Sequence, residues 1–116
     1  MQILVLDDYY DEIAPALNVY GKGNTIEYVA TPRDAENKMD HKKYDVLLLD
    51  GNLRSTTGPE VLKRWYASGR VVPPVVMISG SEELNKKGIA AGAVWFVEKG
   101  RFSEEFFEEL KQKLLK

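Results

Sequence analysis

The chain of 116 residues contains no cysteine, which excludes disulfides and thiolate metal sites. It has one histidine, His41, in the polar stretch DHKKYD. A lone histidine cannot build a metal site, and this one reads as solvated. No charge of one sign dominates: 16 basic residues face 18 acidic ones, a net charge of −2. The strongly basic balance or stripe that marks electrostatic binding to nucleic acid is missing. No apolar run approaches the roughly 20 residues needed to cross a bilayer. The N-terminus, MQILVLDDYY, lacks a basic n-region and reaches an acid at Asp7, unlike a signal peptide. Repeats, low-complexity tracts and linkers are also lacking. One cytoplasmic domain over residues 1–116 is expected, with neither nucleic acid nor membrane as a direct partner.

What is present is a series of five short apolar runs: Ile3–Leu6, Ile26–Ala30, Val46–Leu49, Val75–Ile78 and Ala93–Val97. Each has strand length and is rich in β-branched, leucine or aromatic residues. The first, third and fourth are apolar throughout, the pattern of strands buried on both faces of a parallel sheet. The second, Ile26-Glu27-Tyr28-Val29, mixes in polar residues and reads as an edge strand.

Helical segments separate the runs. Thr31-Pro32-Arg33-Asp34 supplies an N-cap, a proline at the first helical position and an acid in the first turn, with Ala35 and Met39 following at i, i+4 spacing. Pro59 opens another helix, with Val61, Leu62, Trp65 and Tyr66 on one face as packing residues and Gly69 closing it. Ser103 caps the last helix, with Glu104 and Glu105 in its positive first turn. Phe102, Phe106, Leu110 and Leu114 then recur at steps of four, beside Phe107. The first helix lies near Asp11–Tyr20, where Pro15 requires a late start or a kink. The fourth, about Ser81–Ala91, has few large apolar residues and reads as a thinly packed surface helix. The fold class is therefore α/β: a doubly wound (βα)5, flavodoxin-like three-layer sandwich with parallel strand order 2-1-3-4-5. Such sheets bind ligands at their carboxyl ends, around strands one and three.

The strand ends carry the chemistry. Strand one ends at Asp7-Asp8, strand three at Asp50, strand four at Ser79-Gly80, and strand five is followed by Lys99. The proposed order gathers these on one edge. Three crowded carboxylates favour a counter-charge, and Mg2+, a hard cation taking oxygen ligands, suits them. Ser79 can donate to a phosphoryl oxygen and Lys99 can pair with one as a point charge. Asp50 is then a carboxylate nucleophile for a phosphoryl group. An acid at one strand end is often a turn residue or a cap; five groups at matching ends favour a site.

These residues also form a signature that resembles the receiver domain of two-component response regulators, of the chemotaxis-type single-domain kind, over the whole chain. The acidic pair matches LVLDD, the phosphoacceptor LLLDGNL, and the family glycine eight residues on is Gly58. The hydroxyl and small residue match ISG, and the glycine, alanine, aromatic and lysine match Gly92, Ala93, Phe96 and Lys99 in GAVWFVEKG. The resemblance implies a phosphoprotein of a phosphorelay. Asp50 would take a phosphoryl group from a sensor histidine kinase or phosphotransfer protein. Mg2+ would be held by Asp8 directly, Asp7 mainly through a water, Asp50 and the Asn52 backbone carbonyl. Ser79 and Lys99 would hold phosphoryl oxygens, and Ser79 and Phe96 would form the switch pair. Output would pass through helix four, strand five and helix five to a downstream protein. Such a chain is not an enzyme toward other substrates.

Four positions depart from the family pattern. Gly100 stands where proline usually follows the lysine, through a cis peptide; a non-proline cis bond costs about 2.5–4 kcal/mol, so a trans or more mobile loop is expected. Arg54 replaces a common proline and Thr57 a common acid, neither expected to touch the chemistry. Trp95, beside the switch aromatic, is expected to alter the output surface. Two alternatives follow. One is a degenerate receiver acting as a phosphorylation-independent binding module, for which Gly100 argues. The other is a Mg2+-dependent phosphatase, against which Asn52 argues, because it cannot act as a general acid two residues after the nucleophile.

Overall fold

The computed structural model describes residues 1–114. Five strands alternate with five helices: β1 (Gln2–Leu6), α1 (Ala14–Tyr20), β2 (Thr25–Val29), α2 (Pro32–His41), β3 (Val46–Asp50), α3 (Gly58–Ala67), β4 (Val75–Ser79), α4 (Glu82–Ala90), β5 (Trp95–Glu98) and α5 (Glu104–Leu114). The strands form one parallel sheet in the order β2-β1-β3-β4-β5. Among the described residues, no helix is long and apolar enough to cross a membrane.

Burial follows the sequence pattern. β3 and β4 are buried at every position, and β1 at all but its first. Alternate residues feed two cores. Leu4, Leu6, Leu47, Leu49, Val75 and Met77 pack under α2 and α3, against Ala35, Val61, Leu62 and Trp65. Ile3, Val5, Val46, Leu48, Val76 and Ile78 pack under α1 and α5, against Leu17, Phe106, Phe107 and Leu110. β2 and β5 are the edges and are only part-buried.

The helix ends obey their local signals. Thr31 caps α2 through the Asp34 amide at 3.1 Å, and Ser103 accepts the Phe106 amide at 3.2 Å. The expected first helix divides at its proline: a 3-10 turn, Tyr10–Glu12, precedes α1, and Pro15 sits in the first turn of α1, where a missing N–H costs nothing. Gly69, just past α3, has φ +77, the left-handed region that glycine tolerates.

Two expectations need correction. Strand five begins at Trp95, not Ala93, because Gly92 turns with φ +120 and the Ala93 amide still bonds back to Gly88 of α4. Tyr66 is not on the buried face of α3; it is exposed and lies over Gly92, while Val61, Leu62 and Trp65 face the core. Trp95 does not share the face of β5 that carries Phe96. It turns to the other side of the sheet, stacks on Phe106 at 5.7 Å and carries Lys113 above its ring.

Candidate functional site

The register sets the strand ends level. Leu6 pairs with Leu49, Asp50 with Ile78, and Ser79 with Glu98. The residues that follow β1, end β3 and β4, and follow β5 therefore meet at one carboxyl edge, as the sequence predicts. A cleft of about 570 Å³ opens there, lined by Asp8, Asp50, Asn52, Arg54, Ser79 and Lys99 among others. Asp7 lies beneath it, with no exposed surface.

Apolar packing holds the acids in place. Leu47–Leu49 are fully buried and give Asp50 a rigid mount, with the residue itself 4% exposed. Asp7, Asp8 and Asp50 each bring one carboxylate oxygen within 4.8 Å of the others. Asp7 Oδ1 accepts the Tyr9 amide at 2.8 Å, which fixes the carboxylate inward. Asp8 Oδ1 is buried without a hydrogen-bond partner. A buried carboxylate oxygen left unpaired is costly, so this oxygen is suited to a cation. The donor set is all oxygen, which matches a hard divalent cation such as Mg2+.

Lys99 completes the charge balance. Its Nζ forms ion pairs with Asp7 Oδ2 at 2.8 Å and Asp50 Oδ2 at 3.4 Å. Its backbone N–H donates to the Ser79 carbonyl at 3.2 Å. Burial opposes the ammonium charge, but the two carboxylates outweigh it and raise the pKa of Lys99. Asp50 is pushed up to about 6, first by burial and then by the charge of Asp7; Lys99 and the Asn52 amide, 3.4 Å from Asp50 Oδ1, pull the other way without cancelling the rise. Gly100 does not displace Lys99. Its peptide bonds are trans and it has φ +95, so glycine supplies by left-handed backbone the turn that brings Lys99 to the acids.

The loop after β3 is built close to the site. Gly58 donates to the Gly51 carbonyl at 2.9 Å, Leu53 to Thr56 at 3.0 Å, and Asn52 bridges to Thr57. Thr57 caps α3 through the Glu60 amide. Arg54, expected to stay clear of the chemistry, is exposed on the wall of the cleft and forms no ion pair there among the described residues. Phe96 is 39% exposed on β5, in register with Met77.

Two residues escaped the sequence reading. At Gly51, a Cβ would stand 2.7 Å from Ser79 Oγ and 2.9 Å from Leu84 Cβ, so only glycine lets Ser79 and α4 close over the residue next to Asp50. Asn85, on the sheet-facing side of α4, is 2% exposed and donates to the Ser79 carbonyl at 3.0 Å. Its only sequence signal was a polar residue three before Gly88 on a helix otherwise poor in core residues.

Comparison with known proteins agrees with this geometry. A family model described as the response regulator receiver domain matches residues 3–111. Curated protein sequences gave no significant match. Among solved structures, a two-component response regulator from Clostridium difficile superposes with a TM-score of 0.83 at 19% identity, covering 100% of this chain and 97% of that one. A putative response regulator from Chloroflexus aurantiacus gives 0.82 at 23%, covering 99% and 98%. The response regulator TrrA from Thermotoga maritima, in complex with Mg(2+)-BeF, gives 0.77 at 21%, covering 97% of each. The family match spans nearly the whole chain, and the chain belongs to the response regulator receiver domain family.

Proposed function

We propose that this chain is a Mg2+-dependent phosphoacceptor switch in which Asp50 takes a phosphoryl group from a histidine kinase or a phosphotransfer protein. The observation that carries the reading is the buried Asp50 at the tip of the central strand, within one oxygen cluster with Asp7 and Asp8 and ion-paired to Lys99. Asp7, Asp8, Asp50 and the Asn52 backbone carbonyl are the groups that would hold Mg2+. The ion would offset the carboxylates and the phosphoryl oxygens.

Asp50 acts as the nucleophile. A carboxylate oxygen forms a bond to phosphorus, the P–N bond to the donor imidazole breaks, and the imidazole nitrogen keeps the electron pair and takes a proton. Near neutral pH Asp50 is mostly ionised, since its pKa of about 6 lies below that pH. Lys99 leaves its carboxylate partners for a phosphoryl oxygen, and Ser79, 3% exposed on the same cleft, turns its hydroxyl to another. Phe96, now half out of the structure, is the ring that moves inward when Ser79 shifts. The face of α4, β5 and α5 then changes, and output passes to a protein partner, a local charge change biasing a bistable element. A cytoplasmic setting suits such a donor and such an output.

The test is to incubate the protein with acetyl phosphate, with and without Mg2+, and weigh it intact. The reading expects a Mg2+-dependent gain of one phosphoryl group that disappears in Asp50→Asn. No gain with any small phosphodonor would favour a binding module, and turnover of unrelated phosphate esters would favour a phosphatase.

A further inference from the structure

Helix α4 is fixed to the sheet by small and polar contacts. Its buried residues are Asn85 and Gly88. Gly88 lies directly on the Met77 side chain, where a Cβ would collide with it. Asn85 is buried, its Nδ2 donates to the Ser79 carbonyl at 3.0 Å, and its Oδ1 is buried without a partner. A buried amide oxygen without a protein partner gives up its hydration with no protein hydrogen bond in exchange. An apolar side chain of similar volume would avoid that loss. Burial of the side chain alone therefore does not favour an amide at this position.

Its contacts do. The Ser79 carbonyl that receives the Asn85 amide also receives the backbone N–H of Lys99. The Ser79 hydroxyl accepts the Ser81 N–H at 3.1 Å, and Ser81 is the N-cap of α4 through the Leu84 amide. Ser79 is thus tied to α4 at both ends, by its hydroxyl to the cap and by its carbonyl to Asn85. Leu84, on the same turn, closes against Gly51 beside Asp50.

We propose that Asn85 is a positioning residue that couples α4 to the state of the phosphoacceptor site through the Ser79 carbonyl. The proposal rests on the phosphoacceptor reading above. When the Ser79 hydroxyl turns to a phosphoryl oxygen, the Ser81 N–H loses its acceptor. The Asn85 amide is then the side-chain link by which α4 follows strand β4. Without it the site still loads, but the helix no longer responds.

The experiment uses the full chain, Mg2+ with beryllium fluoride as the probe, and backbone amide NMR. In the wild-type protein, shifts are expected at Asp50–Asn52 and across α4. In both Asn85→Leu and Asn85→Ala, the shifts at Asp50–Asn52 persist and those across α4 collapse, with coupling reduced by about 2- to 30-fold. The two variants move stability in opposite directions: leucine keeps or raises the melting temperature, and alanine lowers it by leaving a cavity. Loss of the α4 response in both variants therefore follows the amide and not stability. An unchanged α4 response in both, or a loss in only one of them, overturns the coupling. An absence of shifts at Asp50 in the wild-type protein overturns the phosphoacceptor reading, and the coupling falls with it.

Discussion

Replacing Asp50 with asparagine should make the metal-free protein more stable near neutral pH. The residue is 4% exposed, and its carboxyl is raised from the ordinary 3.8 to about 6, first by burial and then by Asp7. A raised carboxyl pKa means that the folded state resists losing the proton that the unfolded chain gives up freely. Stability is unaffected below the unfolded value, falls as pH climbs from about 4 to 6, and stays low above that. At about 1.4 kcal/mol per pH unit, the full penalty is about 3 kcal/mol at pH 7.5. It shrinks to under about 1 kcal/mol at pH 4. Lys99 and the Asn52 amide are already included, since their pull on Asp50 contributes to the same value. The assay is urea unfolding of wild type and Asp50→Asn in EDTA at both pH values. Asp50→Asn should be more stable by about 3 kcal/mol at pH 7.5, the gap closing toward pH 4. Adding Mg2+ should then stabilise the wild type more than the variant, because ligand binds the folded state. Equal stabilities at pH 7.5, or a gap that ignores pH, would refute the electrostatic account of the site.

Other expectations follow from close contacts and unshared charge. Gly58→Ala would press a methyl onto the Asp50 backbone carbonyl; a loss of about 1–3 kcal/mol in urea unfolding is expected, with slower phosphorylation by acetyl phosphate. Gly88→Ala gains helix propensity of up to about 1 kcal/mol but overpacks Met77, so net destabilisation is expected and a more stable variant would contradict the packing. Arg54→Ala removes a cation from the cleft wall; calorimetry should find tighter Mg2+ binding, and unchanged affinity would show Arg54 to be solvated away from the site. Thr31→Ala removes the cap that the Asp34 amide uses and should cost about 1 kcal/mol with no change in phosphorylation.

Much of this molecule was legible in its sequence because the relevant signals are local. Continuous apolar runs gave the buried strands, and the alternation of strands and helices gave the doubly wound order. The register then brought Asp7, Asp8, Asp50, Ser79 and Lys99 to one edge. What escaped depends on distance through space. Tyr66 and Trp95 have the composition of core residues, and only the sheet and its neighbours decide which side each occupies. Gly100 broke an expected proline, yet a left-handed φ achieves the placement of Lys99 by another backbone route. The place of Arg54 on the cleft wall was not legible because a loop residue four positions from Asp50 has no fixed direction in sequence. Gly51 and Asn85 matter through contacts with Ser79, a residue 28 and six positions away respectively, and no periodicity encodes such contacts.

The central claim is that Asp50, and no other side chain, accepts the phosphoryl group. Borohydride reduces an aspartyl phosphate to homoserine and leaves a free carboxylate untouched, so peptide mass spectrometry after reduction locates the modified position. In protein treated with acetyl phosphate and Mg2+, homoserine is expected at position 50 alone, and nowhere when Mg2+ is withheld. Homoserine at position 7 or 8, a stable phosphate on Ser79, or no modification with Mg2+ present would contradict the account.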